Sequence, residues 1–507
     1  MCFKPILYRA TLFALSVLAL VSTSHAQPVH VSAEGVGQVL IYPYYTTRNG
    51  WTTLLSIVNN DGANGKAIKL RFLEGKNGAL VASLNVFLAA NDIWTAAVVA
   101  GSAASDPPKL LSNDNSCTWP SLRTQGTVSE TGGPVILRDF EFSNRGYVAD
   151  GDSTTLQTID RTREGYVQVI EMASIPSGTT PRSALVQQIA TASYAQSQPP
   201  CSAISDADLF RYAGQIAAPT GGLSGAATLI NVLAGASTEY SPVALGGFWA
   251  IGSNAPQITA SASALPNLSS GGSVNSQVSY EGKTYFSKFN RSIDALSAVS
   301  MSEQLMGEHA YTADATIATT WVVVTPTKRF YTQRNATAPF MRAWDAVAGT
   351  ACDDATLSST DRNAVVLSSP DEFSANPPRP PNEAMCFVAQ VIGFGYNETM
   401  FGAKNIYGRG FYATQSGGLD VATAGKEGGK TQEQPASPLA RLVSLSGSVA
   451  SVDPATGIVS VVPGPHTFYG LPMIGVAFSA SSFKAGNPQQ NFASGFRLNS
   501  TRRITTP

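Results

Sequence analysis

Apolar and cationic side chains alternate strictly in the segment Ile68-Lys69-Leu70-Arg71-Phe72. Successive side chains of a strand point to opposite faces of a sheet, so this period of two predicts a half-buried β-strand. The preceding segment, Asn59-Asn60-Asp61-Gly62-Ala63-Asn64-Gly65, is dense in residues that tolerate positive φ. It predicts a hairpin or a short loop at this point.

Short apolar or alternating runs of the same kind recur along the whole chain. They occupy 84–88, 135–137, 166–170, 321–324, 387–392, 442–445, 458–462 and 474–478. Helical patterns are fewer and are confined to 180–189, 205–214 and 293–306. Many strands without regular intervening helices favour a mainly β fold, with antiparallel β-sandwich-like domains and a few short inserted helices.

The chain has 507 residues, which is enough for two or three domains that each bury a core. We predict a signal peptide over 1–26 and a β-rich domain with a short helical insertion over 27–250. A Ser/Gly/Ala-rich linker or loop over 251–277 then leads to a second β-rich domain over 278–507. The second domain carries long loops rich in Pro and Gly, at 358–382 and 414–438.

The N-terminus has the three parts of an export signal. Lys4 and Arg9 precede an apolar run over 12–21, and Ser24-His25-Ala26 supplies the small residues of a cleavage site. After cleavage no apolar segment long enough for a transmembrane helix remains in the sequence. We therefore expect an exported protein, in the periplasm, at the cell surface or outside the cell.

Four cysteines remain after the signal peptide: Cys117, Cys201, Cys352 and Cys386. An even number in an exported chain predicts two disulfide bonds, and three pairings are possible. Pairing of sequence neighbours would keep each bond within one half of the chain. Loop-closure entropy suggests a stabilisation of roughly 3–5 kcal/mol per bond.

Composition excludes several classes of function. Charged residues make up 13% of the chain and the net charge is −1, so no overall positive field favours nucleic acid. Only three histidines, at 30, 309 and 466, lie outside the predicted signal, and neither a C-x-x-C motif nor a phosphate-binding glycine motif in a strand–helix setting is present. We therefore predict no metal site and no cofactor.

Two carboxylates offer a catalytic alternative. Asp139 and Glu141 stand two residues apart on a predicted strand, so both side chains point to the same face. Glycosidases use such a pair as acid and base or nucleophile. A solvated strand face is the simpler explanation of the same pattern.

Aromatic residues are the most conspicuous positive feature near the mature N-terminus. They are Tyr42, Tyr44, Tyr45 and Trp51, with Trp94 further on. Exposed flat rings could stack on sugars or anchor a partner protein, which makes the first four candidate binding residues. The alternative is that these rings pack in the core.

Four segments together carry a resemblance: 37–46 (GQVLIYPYYT), 91–95 (NDIWT), 324–331 (VTPTKRFY) and 471–477 (LPMIGVA). In these the chain is similar to a group of exported Gram-negative bacterial proteins, sometimes called cell-surface proteins, to which no activity is assigned. The resemblance implies export and two cysteine pairs, and it transfers no active site.

These observations favour a non-catalytic surface or extracellular protein with a structural or adhesive role. Its expected partners are further copies of itself, a glycan or an envelope protein. One alternative is a carbohydrate-active enzyme, a glycoside hydrolase or lyase, that uses Asp139 and Glu141. Another is a periplasmic factor for envelope assembly.

Overall fold

The structure is a computed structural model of the chain. It describes residues 28–114, 116–120, 122–130, 133–176, 216–250, 255–310, 317–360, 366–367, 383–394, 400–402, 406–412, 428–435, 440–454, 456–483 and 490–506. Antiparallel sheets dominate these residues, which confirms the predicted mainly β fold with few short helices. The predicted signal peptide and the helices predicted at 180–189 and 205–214 lie outside the described residues.

Two antiparallel sheets form the first half of the protein. Within the described residues, sheet I has the spatial order β1 (His30–Val31), β14 (Val243–Gly246), β2 (Val39–Thr46), β11 (Glu164–Pro176), β4 (Asn64–Glu74), β5 (Leu80–Leu88) and β8 (Cys117–Trp119). Sheet II, over the same residues, has the order β13 (Ala236–Tyr240), β12 (Leu223–Asn231), β3 (Thr52–Asn59), β6 (Ile93–Val99), β7 (Lys109–Ser112), β10 (Gly133–Glu141) and β9 (Arg123–Glu130). The Tyr42 hydroxyl on β2 donates to the Ser56 carbonyl on β3, 2.7 Å away. The two sheets therefore face each other as a β-sandwich.

The connection predicted at 59–65 is a short loop between sheets and not a hairpin. β3 belongs to sheet II, whereas β4, the next strand along the chain, belongs to sheet I. A carboxylate oxygen of Asp61 accepts hydrogen bonds from the backbone N–H groups of Ala63 and Asn64, at 2.9 and 3.0 Å. This Asx-type turn redirects the chain from one layer of the sandwich to the other.

The prediction that β4 is only half buried was wrong, because its cationic face is covered as well. Lys69 Nζ donates to the Ala260 carbonyl at 2.7 Å, and Arg71 Nη1 donates to Gln168 Oε1 at 2.7 Å. Both side chains are buried. The cover includes residues 255–261, which belong to the Ser/Gly/Ala-rich stretch of the sequence and lie against sheet I through backbone bonds such as Gln257 N–H to the Met172 carbonyl.

Two further sheets pack together in the second half. Sheet IV, in the part of the chain that the structure describes, has the order β21 (Val366–Leu367), β20 (Asp353–Thr360), β25 (Gly428–Pro435), β18 (Gln304–Ala310) and β33 (Asn499–Thr501), and β22 (Glu383–Met385) also pairs with β20. Sheet V has the order β24 (Ile406–Tyr412), β23 (Ala389–Phe394), β19 (Ile317–Val324), β31 (Ile474–Phe483) and β32 (Gln490–Arg497). Only β23 and β24 pair in parallel among these strands. Trp321 Nε1 on β19 donates to the Glu308 carbonyl on β18 at 3.3 Å, which joins the two sheets.

Smaller sheets complete the second half. Sheet III has, among the described residues, the order β15 (Asn275–Tyr280), β16 (Lys283–Lys288), β27 (Ser446–Val452) and β28 (Val459–Pro463). A three-stranded sheet has the order β26 (Arg441–Val443), β29 (Thr467–Tyr469) and β34 (Arg503–Thr505), and β17 (Met301–Ser302) pairs with β30 (Leu471–Pro472). Sheet III thus joins strands from both ends of the second half.

Helices are short and connect strands. The α-helices in the described residues are α1 (Arg145–Ala149), α2 (Ser292–Ser300) and α3 (Arg329–Thr332), and the 3₁₀ turns are Arg48–Gly50, Thr154–Leu156 and Ile159–Arg163. Helix α2 is shorter than the predicted 293–306, because Met301 begins a strand that pairs with Pro472. No helix in the described part of the chain is long and apolar enough to cross a membrane.

One apolar core runs through both halves. The Phe401 ring lies 5.3 Å from the Tyr44 ring and 5.1 Å from the Trp51 ring, and 5.0 Å from the Phe478 ring of sheet V. Tyr240 of sheet II is 5.7 Å from the same Phe478 ring. The two halves are therefore held together by buried aromatic contacts.

A disulfide bond joins Cys352 to Cys386. This is the pairing of sequence neighbours in the second half, and it ties the start of β20 to the residues after β22. Cys117 on β8 is also disulfide-bonded. Cys201 lies outside the described residues.

Candidate interaction surface

The aromatic residues predicted to bind a ligand lie in the core. Tyr42, Tyr44 and Tyr45 have no solvent exposure and Trp51 is only 4% exposed. Burial raises the pKa of all three tyrosines well above the ordinary value. These rings are core residues and not an exposed platform, which is the alternative that the sequence left open.

Their polar atoms bond to other parts of the protein. The hydrogen bonds run from Tyr44 to Glu164 Oε2 (3.1 Å), from Tyr45 to the Thr162 carbonyl (3.0 Å) and from Trp51 Nε1 to the Met400 carbonyl (3.1 Å). The sequence contained a signal for this placement. Val39–Thr46 has eight residues without a charge, a pattern typical of a strand that is buried on both faces.

The two candidate catalytic carboxylates form an ion cluster with a lysine. Lys109 Nζ lies 3.5 Å from a carboxylate oxygen of Asp139 and 3.5 Å from one of Glu141. The Asp139 side chain is fully buried, whereas that of Glu141 is 43% exposed. A buried and ion-paired Asp139 presents no face to a substrate, so this cluster has the features of a structural link between β7 and β10.

Buried charges of a second cluster hold the turn Ile159–Arg163 against sheet I. Arg161 pairs with Glu74 at 3.0 Å and with Asp152, and its guanidinium lies 4.0 Å from the centre of the Tyr147 ring. Arg48 pairs with Glu164 at 3.0 Å. Ion pairs thus connect this turn and the start of β11 to β4, to Asp152 and to Arg48.

The outer strand of sheet III is the most exposed apolar element in the described residues. β28 pairs with β27 on one side and with no described strand on the other. All five of its residues are exposed, and the exposed fractions of Val459, Val461 and Val462 are 60%, 59% and 54%. An edge strand normally carries charges or is covered, because its free backbone groups can pair with another chain.

The two faces of sheet III differ in what they contact. Residues paired across neighbouring strands share a face, so Val462, Val449, Tyr285 and Val278 form one row. Tyr285 and Val278 at the inner end of this row are buried. This face of the sheet is therefore directed to the core.

The opposite face is apolar and faces solvent. Val461 pairs with Ala450 and Val459 with Val452, and Phe286 on β16 lies on the same face. Val452 is 57% and Phe286 39% exposed. We call β28 together with Ala450, Val452 and Phe286 the sheet III surface.

Charge is absent from the exposed strand itself. The stretch Ile458-Val459-Ser460-Val461-Val462-Pro463 contains no ionisable side chain. Its sequence predicted a strand correctly, but the sheet order that leaves it uncovered depends on residues far away in the chain. Sequence reasoning therefore missed this surface.

Comparison of the chain with protein-family models, with curated proteins and with solved structures finds no match. The fold and the sheet III surface therefore carry the functional argument.

Proposed function

We propose that the protein is an exported, non-catalytic structural protein of a bacterial cell surface, which associates with copies of itself through the sheet III surface. The observation that supports this role is the edge strand β28, whose five residues are all exposed and whose outer edge pairs with no described strand. Low charge and the apolar face beside it favour contact with another protein surface over solvent.

A second copy is the partner that this strand fits best. An antiparallel β28 pair about a two-fold axis at Val461 places Val459 opposite Pro463 and Ser460 opposite Val462. Such a pair buries no charge and joins two four-stranded sheets into one. The backbone groups of Val461 pair across the axis, whereas Pro463 has no N–H to donate to Val459 opposite it. β28 has no ionisable side chain with which a charged partner could form an ion pair.

The strength of this contact is limited by its size. Five residues of each chain pair along the strand, and the apolar face adds neighbouring side chains. This is smaller than the roughly 1,200–2,000 Å² of a standard stable interface. We therefore expect association in the micromolar range.

Val461→Lys should weaken self-association at least tenfold. The substitution removes an apolar contact and places two like charges opposite each other at the symmetry axis, and tenfold corresponds to about 1.4 kcal/mol. Sedimentation velocity over a concentration series measures the effect. Val232→Lys is the matched control, because Val232 is 77% exposed in the turn between β12 and β13, remote in sequence from sheet III.

Equal weakening in both lysine variants would contradict the role of β28. So would a wild-type protein that stays monomeric at all concentrations. If that monomer bound a polysaccharide or an envelope protein, an adhesive role would replace the structural one.

A further inference from the structure

A fully buried lysine lies between two carboxylates near the start of β4. The Nζ atom of Lys66 is 3.1 Å from a carboxylate oxygen of Glu171 on β11 and 3.2 Å from one of Asp61. The side chains of Lys66 and Glu171 have no solvent exposure, whereas that of Asp61 is 20% exposed. Removal of two charges from water is costly even when they attract each other. A reaction that neutralises Lys66 and Glu171 together removes this cost.

The strand register places the lysine and the glutamate on the same face of sheet I. Lys66 on β4 is the partner of Ser174 on β11, and Ile68 is the partner of Glu171. The register shifts by one residue between Glu171 and Ala173, as in a β-bulge. This extra residue keeps Glu171 and Ser174 on one face although they are three positions apart. The amine of Lys66 and the carboxyl group of Glu171 therefore meet across two hydrogen-bonded strands.

Backbone N–H groups bind both oxygens of the Glu171 carboxylate. The Thr220 N–H donates to Oε1 at 3.0 Å, and the Gly221 N–H donates to Oε2 at 2.6 Å. Donors in this arrangement stabilise the negative charge that develops on a carboxyl oxygen when a nucleophile adds to its carbon. Burial raises the pKa of Glu171 above its ordinary value, although Lys66 and the two N–H groups oppose the shift. Glu171 therefore accepts a proton from Lys66 more readily than an exposed glutamate would.

Asp61 is the group beside Lys66 that can carry a proton. Burial opposes its ionisation, but hydrogen bonds from Asn64, Ala63 and Lys66 lower its pKa to about 2. Asp61 is therefore ionised at neutral pH and can accept a proton from the lysine nitrogen. Because its acid form is strongly disfavoured, it passes that proton on at once. Its partial exposure also connects the site to solvent, so a water molecule formed there can leave.

We propose that Lys66 and Glu171 react with each other to form a covalent amide bond that links β4 to β11, with Asp61 as the proton carrier. Lys66 first gives one ammonium proton to Glu171, and its neutral amine then adds to the Glu171 Cδ atom. Asp61 takes a second proton from the nitrogen and gives it to the hydroxyl oxygen on Cδ. The bond between this oxygen and Cδ breaks, and one water molecule leaves. The two side chains supply every atom of the amide and of the water, so no further reactant is needed.

Mass spectrometry of tryptic peptides from the reduced full chain tests the proposal. Trypsin does not cleave after an acylated lysine, so the bond should join residues 49–69 to residues 164–182 in one branched peptide. This peptide should be lighter by one water molecule than its two parts together. Lys66→Arg keeps the positive charge and should abolish the branched peptide, and Asp61→Asn should lower its yield at least tenfold. Recovery of residues 49–66 and 164–182 only as separate peptides from the wild-type protein would overturn the proposal.

A second buried lysine and carboxylate serve as the matched control within the same digest. Lys328 Nζ lies 3.1 Å from a carboxylate oxygen of Asp353, and both side chains are almost fully buried. Within the described residues Lys328 pairs with no second carboxylate, so we expect this pair to stay unlinked. A bond between Lys328 and Asp353, or a full yield of the branched peptide in Asp61→Asn, would overturn the role of Asp61. Self-association is tested separately, because the sheet III surface shares no residue with this site.

Discussion

Replacing Arg161 with methionine should lower the free energy of unfolding by about 3–5 kcal/mol, the usual cost of removing one partner of a buried ion pair. The substitution leaves the carboxylates of Glu74 and Asp152 buried without their cation. It also removes the guanidinium from the face of the Tyr147 ring. Urea denaturation followed by tryptophan fluorescence measures the loss, and Arg334→Met, at an exposed arginine, is the control.

The effect of Arg161→Met should depend on pH in a defined direction. Burial opposes ionisation of Glu74, but the Arg161 guanidinium and the backbone N–H groups of Lys76 and Asn77 outweigh it and lower its pKa below the ordinary 4.5. A carboxyl group whose pKa is lowered by folding stabilises the protein above pH 4.5, and this contribution is lost as the pH falls through the folded value.

Without Arg161, burial dominates and Glu74 takes up a proton more readily. The difference in stability between wild type and Arg161→Met should therefore shrink as the pH falls from 7 toward 4. If the stability difference between wild type and Arg161→Met were the same at pH 7 and at pH 4, the ion pair would not be its source.

Phe401→Ala should cost about 3–5 kcal/mol of stability, as for other large-to-small changes in a core. The ring has no solvent exposure and contacts Tyr44, Trp51 and Phe478, which belong to both halves of the protein. Its removal leaves a cavity where the two halves meet. Thermal and urea unfolding of the variant measure the loss.

Phe286→Ala provides the matched comparison for this prediction. The Phe286 ring is 39% exposed on the outer face of sheet III, so we expect a loss of less than about 1 kcal/mol, in keeping with a partly exposed site. Equal losses in the two variants would mean that Phe401 does not join the halves energetically.

The local sequence pattern predicted where the strands lie, but it did not predict which residues cover them. The alternation over 68–72 correctly predicted β4, because the period of two is a property of the strand itself. Burial of Lys69 depends on residues 260–261, which follow about 190 positions later. No local pattern contains that information.

For the candidate sites, too, the local sequence did not indicate which residues are buried and which are exposed. Tyr42 and Tyr44 are aromatic and near one end of the chain, which fits both a binding platform and a core strand. Their burial results from the position of β2 in the middle of sheet I and from Phe401, a residue of the other half. In contrast, β28 has the composition of a core strand but is exposed, because among the described residues no strand pairs with its outer edge.

The strand order of the second half has a consequence for the time course of folding. β16 and β18 are among the first strands of the second half, yet their partners β27 and β33 end only at residues 452 and 501, and β29 pairs with β34 at 503–505. A growing chain cannot close these sheets until its synthesis is almost complete, and contacts this distant in sequence also form slowly. Sheet IV and the three-stranded sheet of β26, β29 and β34 can therefore form completely only when the last residues of the chain have been made.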